Sequence, residues 1–427
     1  MPAHTLADGL KSSSVNWETL QQNYNPLLGL VRELIGVVPN CDPILEIWPP
    51  GFRSYNLLVP NMFNLPSTIF GNKSFKASMG LAMYASSKAA CAYCTAHTCS
   101  FALRRGVRKE AIAGSRTAKE QAVVTMAEKL ASVPSLLTMT DVENVRQHFS
   151  PSETEWLIYA VSMMGFLNKF MNAVGVELEQ DAINDTAELL VETGWEPGIH
   201  ALNGFSVTNQ RVPHPDNLLT YLRVIRQAPG AVRWEKKWMA TVPSDYPAAS
   251  KYLEQHAGYS FPIFKPVKEK RVIRTLTTVL RDNLNKELTV IGLKIKIYGG
   301  YIFSTMVGNI MLKTEIKNLS VHWAPEITDQ KWDLLNEISK MDVPASNASC
   351  EEVIASFQQQ LSLTRQEAAA ILLVISASYS PAQNNDAVTE AALKYMEPAG
   401  IVENIVWLSV LQLLNRLSSY YMLIQAY

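Results

Sequence analysis

The chain has 427 residues, 48% of them hydrophobic, with 38 basic against 39 acidic residues and a formal net charge of -1 at pH 7. That length exceeds one ordinary core and predicts about two to three domains. The near-cancelling charge excludes a partner gathered by bulk electrostatics, nucleic acid above all. Residues 1–24 read as an N-terminal extension. Polar residues run through 1–18 without an apolar core of signal-peptide length, so a cytoplasmic location is expected. The most apolar runs, 156–167 and 405–414, are too short to span a bilayer, suit buried helices and predict no membrane partner. Five cysteines, an odd number with three clustered, do not form a secreted disulfide framework; local redox or metal chemistry fits them better.

A first module is expected over 25–199. Within it 79–86 is rich in Ala and Met and reads as helix, and residues 88–105 carry Cys91-Ala-Tyr-Cys94, His97 and Cys99 on a further helix-forming stretch. If Ser86 or Ser87 caps that helix, Cys91 lies in its first turn, where free N–H groups and the helix dipole favour a thiolate. Cys91 and Cys94 are neighbours on one helix face, as are Cys94 and His97, while Cys99 is rotated by ~140° and reads as a bystander. The pair is open to three readings: redox dithiol, metal ligands or buried packing. Structural zinc fits least, because it needs four ligands and no second pair is near.

Further along, 117–175 lies over 364–422 without a gap. Glu120 meets Glu367, Pro134 meets Pro381, Leu167 meets Leu414, Asn168 meets Asn415 and Lys169 meets Arg416. Each copy places a helix before the proline, a polar linker after it, and a long apolar helix that closes the unit. The chain therefore reads as a duplicated module of ~190 residues, with a linker over 200–216 and a second copy over 217–427. Upstream the register changes, placing Cys91 over Tyr301, Tyr93 over Phe303 and Cys94 over Ser304, which implies an insertion around 313–363 with an extra helix near 332–340. In that register the second copy lacks the thiols, and Gly299-Gly300 breaks the helix where the Cys91 helix begins. The β-branched stretch 289–298 could pass for a strand, but its Ala- and Met-rich partner favours an all-α fold for both copies.

With these residues assembled, the chain resembles the alkylhydroperoxidase D (AhpD) and carboxymuconolactone decarboxylase superfamily. Two features carry the resemblance: Cys91-Ala-Tyr-Cys94 with its adjacent His97, and the paired pattern of helix, proline, linker and apolar helix. It implies an all-α fold of two tandem modules forming an internal pseudo-dimer, with a homo-oligomer as a further option. In the peroxidase branch it also implies a cysteine pair that reduces hydroperoxides and is reset by an external dithiol, with no cofactor and no metal. By the same resemblance Cys94 is the peroxidatic cysteine and Cys91 the resolving one, whereas the helix dipole by itself favours Cys91 as nucleophile.

The chain departs from the family pattern twice. The family's histidine position holds Thr98, with His97 one earlier, and its upstream glutamate corresponds to Met79, with no acid over 76–87. Without that carboxylate the proton relay is incomplete. Thr98 is then expected to hydrogen-bond a peroxide oxygen, His97 to act as base, and Tyr93 to serve as pocket wall or donor. Two rivals accompany the peroxidase reading: a lyase acting on carboxylated lactones, and a non-catalytic sensing or interaction protein resembling sestrins.

Overall fold

The computed structural model describes residues 5–65, 67–201 and 215–425, and among them every regular element is helical. The all-α expectation holds. The first half runs α1 (Leu6–Leu10), α2 (Trp17–Ile35), α3 (Asp42–Leu45), α4 (Pro49–Met62), α5 (Ser67–Phe70), α6 (Lys73–Ser87), α7 (Ala92–Arg104), α8 (Lys109–Ala113), α9 (Ala118–Ala131), α10 (Met139–Arg146), α11 (Pro151–Val174) and α12 (Gln180–Glu192), and ends in a 3-10 turn, Gly198–His200. The second runs α13 (Leu218–Trp238), α14 (Tyr246–Ala257), α15 (Lys270–Asn283), α16 (Leu293–Met306), α17 (Ile310–Trp323), α18 (Asp329–Ile338), α19 (Asn347–Leu361), α20 (Arg365–Ser378), α21 (Asp386–Tyr395) and α22 (Pro398–Gln425). Most of the expected linker, 202–214, lies outside the described residues.

The sequence repeat reappears as matched elements. α9 and α20 both start from a capping box, Thr117 with Glu120 and Thr364 with Glu367, in which hydroxyl and carboxylate satisfy each other's free N–H groups. Each is followed by a cis proline, Pro134 or Pro381, then a short helix and a long apolar one. Those long helices, α11 and α22, pack against each other and are buried over most of their surface, with the Tyr159 and Tyr421 hydroxyls 3.0 Å apart. Apolar side chains of both copies consequently form one contiguous cluster from Leu6 to Tyr421 rather than separate cores. α11 is long and apolar enough to cross a membrane, but 94% of its most apolar window is buried inside the protein.

Upstream the expected register is corrected. α16 packs on α17, α20 and α22 as α6 packs on α7, α9 and α11, so α7 corresponds to α17. The counterpart of Cys91 is therefore Asn309, the residue that caps α17, and not Tyr301, which lies inside α16. Gly299 and Gly300 do not break that helix: their missing side chains let Val374 and Ile316 approach to 3.0 and 2.9 Å of where a Cβ would stand. The insertion becomes correspondingly shorter and holds α18 and α19.

Candidate functional site

α6 ends at Ser87, and Lys88–Ala90 turn the chain into α7. The expected serine cap is absent; Cys91 itself is the N-cap, in extended conformation (φ -162°, ψ 110°), and its sulfur accepts the Cys94 N–H at 3.2 Å. Gly80 on α6 permits the close approach of the two helices, since a Cβ there would stand 2.8 Å from Ala102 Cα. Both thiols are buried and free, with sulfurs 2.8 Å apart. That separation is longer than the ~2.05 Å of a disulfide and close enough for a thiol–thiol hydrogen bond.

The two sulfurs have different surroundings. Cys94 lines an apolar cavity walled by α2, α4, α7 and α11. Tyr93, His97 and Thr98 line the same cavity, whereas Cys91 does not. The remaining lining is aliphatic or aromatic, including Val31, Leu34, Tyr55, Phe63, Phe101 and Met164. Cys99 is fully buried away from the cavity, which agrees with its reading as a bystander. Thr98 faces the cavity, but its hydroxyl donates to the Cys94 carbonyl at 2.6 Å. Its expected role as donor to a peroxide oxygen is corrected accordingly: the proton is already committed to the helix backbone.

The carboxylate that the sequence appeared to lack is supplied by Glu179. Gly175 ends α11 in the left-handed region (φ +71°), turning the chain so that 176–179 runs back past α7. Glu179 then receives the Asn40 N–H and the Tyr93 hydroxyl (2.6 Å) on one oxygen and pairs with His97 Nε2 at 2.7 Å on the other. His97 is buried beside the Tyr93 ring, with centroids 4.4 Å apart, so this histidine is turned into the site and not to solvent. Its Nε2 is paired with Glu179 rather than with either sulfur. A second histidine joins from the other side. His200, expected in the linker, is 1% exposed and hydrogen-bonded through Nδ1 to the Val176 carbonyl at 2.6 Å, which leaves its Nε2 to face Cys91.

Sequence reasoning missed both Glu179 and His200. They stand more than a helix away in the chain, and the only local signal was the helix-stopping Gly175 just before Glu179.

Electrostatically the two thiols diverge. Burial pushes the Cys91 thiol up, but hydrogen bonds from the Cys94 thiol, His200 and the Cys94 N–H outweigh it and bring Cys91 down to about 6. Cys94 is pushed well up, first by burial and then by its bond to Cys91 and that group's charge, with Arg416 pulling the other way. The dithiol thus loses one proton readily and the second with difficulty. Burial raises Glu179, yet the charge and hydrogen bond of His97, with Tyr93 and the Asn40 N–H, hold it below the ordinary carboxylate value. Among the described residues no group of three or more His, Cys, Asp and Glu is placed to hold a metal ion.

No protein-family model matches the chain, and no curated protein does. Among solved structures, the crystal structure of the apo form of the debrominase Bmp8 is similar over 42% of this chain and 95% of that chain, with 18% sequence identity and a TM-score of 0.35.

Proposed function

We propose that the protein is a thiol-dependent hydroperoxide reductase of the AhpD-like kind, with an active first module and a second module that lacks the thiols. The observation that carries this reading is a buried dithiol in contact at a helix N-terminus. One of its sulfurs faces an apolar cavity beside a carboxylate-held histidine.

The pair holds one proton near neutrality, shared across the 2.8 Å contact. With the charge on Cys94, its sulfur attacks the terminal oxygen of R–O–OH: an S–O bond forms, the O–O bond breaks, and the alkoxide leaves. His97, oriented by Glu179, gives that alkoxide a proton, releasing ROH and leaving Cys94 as sulfenic acid. Cys91 then attacks the Cys94 sulfur; the S–O bond breaks, hydroxide leaves as water after protonation, and a disulfide closes. Two thiols are oxidised, one hydroperoxide is reduced to alcohol and water, and an external dithiol restores the pair. In this scheme Cys94 acts because the cavity reaches it; Cys91 holds the pair's remaining proton while Cys94 attacks, and its lowered pKa lets it release that proton to the departing hydroxide as the disulfide closes.

A lyase for carboxylated lactones fits less well, since among the described residues no Lys or Arg lines the cavity at Cys94 to receive a carboxylate. Stopped-flow oxidation of the reduced protein by cumene hydroperoxide tests the proposal. The expected result is fast oxidation abolished by Cys94→Ser, with trapped sulfenic acid in Cys91→Ser. Rates no better than free cysteine would overturn it in favour of the sestrin-like sensing reading.

A further inference from the structure

α13 packs on α2 through Val224 and Ala231, while Leu218, Leu222, Ile225 and Val232 on its outer side are 43–72% exposed. At ~100° per residue these four fall within roughly 80° of one another and form a continuous apolar stripe. Beside it lie Arg223, Arg226, Arg233 and Lys237, Lys236 closes its C-terminal end, and the only acid on the helix is Glu235, with Glu33 of α2 3.7 Å from Arg223. An apolar stripe flanked by cations is the pattern of a helix that lies in the headgroup region of a bilayer. Pairing with a second copy would set the same cationic row against itself; an anionic lipid surface complements it.

Beneath this helix a second, mostly apolar cleft, open to solvent and edged by Glu235 and Arg271, lies between α2, α4 and α13. It shares Val31, Leu34, Tyr55, Val59 and Leu65 with the cavity that ends at Cys94. Ile225 and Val232 belong both to the exposed stripe and to the wall of this outer cavity.

We propose that α13 docks the protein on an anionic lipid surface, and that the two adjoining cavities, opened to each other across their shared wall of Leu34, Tyr55 and Val59, admit an acyl chain from that surface to Cys94. The second clause rests on the peroxidase reading and makes its substrate a fatty-acyl hydroperoxide. The sequence predicted no membrane partner because its runs are too short to span; lying on a surface requires no such run.

The test uses full-length reduced protein and flotation with vesicles of phosphatidylcholine, with or without phosphatidylglycerol. Binding is expected only to the anionic vesicles, weakening as salt rises, and falling at least about tenfold in Leu218→Glu/Leu222→Glu, whose exposed positions lie outside both cavities and leave the fold intact. In the same vesicles a phospholipid hydroperoxide should oxidise the wild type quickly and this double variant slowly, with cumene hydroperoxide in solution serving both equally. Absence of vesicle binding, binding unaffected by the double variant, or a dimer in sedimentation that the double variant dissociates would each overturn the docking proposal. Thiols inert to cumene hydroperoxide would overturn the peroxidase reading and the substrate clause, while flotation alone still decides the docking.

Discussion

Glu179 and His200 approach the dithiol from opposite sides, one fixing His97 and the other facing Cys91. Glu179→Gln keeps the shape but removes the charge that orients His97, so kcat/KM for hydroperoxide should fall about 10–100-fold with little loss of Tm. Rates compared with thermal melts would show this; unchanged rates would remove His97 from the proton path. Cys91 gives a pH prediction. Its folded pKa is depressed from 9.0 to about 6, so its contribution to stability is fully present above 9.0 and lost as pH falls through about 6. The Tm advantage of the reduced wild type over Cys91→Ser should widen between those values. His200→Asn should move the midpoint of rapid alkylation upward, because a group that lowers the Cys91 pKa is gone. At this scale Cys91, Cys94 and His97 were legible because they lie on successive turns at the start of one helix, whereas Glu179 and His200 arrive from the far side of α11.

Among the elements, α7 shows how a cysteine takes the place of the usual serine or asparagine cap. The arrangement makes the sulfur of Cys91 both the helix cap and the partner of Cys94. The turn at Gly175 is the second requirement, because it aims 176–179 at α7. Gly175→Ala meets both a positive φ and Thr5, whose side chain would lie 2.7 Å from the new Cβ. It should cost about 1–2 kcal/mol and lower the peroxidase rate along with stability, since it displaces Glu179. Chemical denaturation and rates measured together would separate this from a purely structural loss. The capping boxes of α9 and α20 were visible in the sequence as Thr-x-x-Glu placed before apolar helices. The boundary of α17 was not, because the Gly299-Gly300 pair inside α16 mimicked a helix break while serving close packing instead.

For the molecule as a whole, the crossing of α11 and α22 puts a buried cation from each half against the backbone of the other. Lys169 donates to the Ala377, Ser378 and Tyr379 carbonyls at the end of α20, and Arg416 donates to the Val161 carbonyl at 2.7 Å. The repeat equates these positions, yet only Arg416 comes near Cys94, where its charge favours the thiolate. Arg416→Met should slow hydroperoxide reduction roughly tenfold by making Cys94 harder to ionise. Stability should hold or rise, because a buried cation without a carboxylate is costly to keep. Equal rates in the two proteins would confine Arg416 to packing. The second half would then contribute to the site by a charge rather than by a thiol.

The sequence by itself determined the all-α class, the repeat of 117–175 in 364–422 with its matched Asn168 and Asn415, and the closeness of Cys91, Cys94 and His97 along one helix. All of these follow from local rules: helical period, capping pairs, and proline and glycine stops. Asn168 does bond the Ser86 carbonyl, and Asn415 accepts from Asn309. Tertiary structure alone decided which carboxylate holds His97, which histidine faces Cys91, which sulfur meets the cavity, and that no described residue covers the outer face of α13. Those depend on packing between segments distant in the chain. Burial then decides how strongly each neighbouring charge is felt, and no spacing along a sequence encodes it.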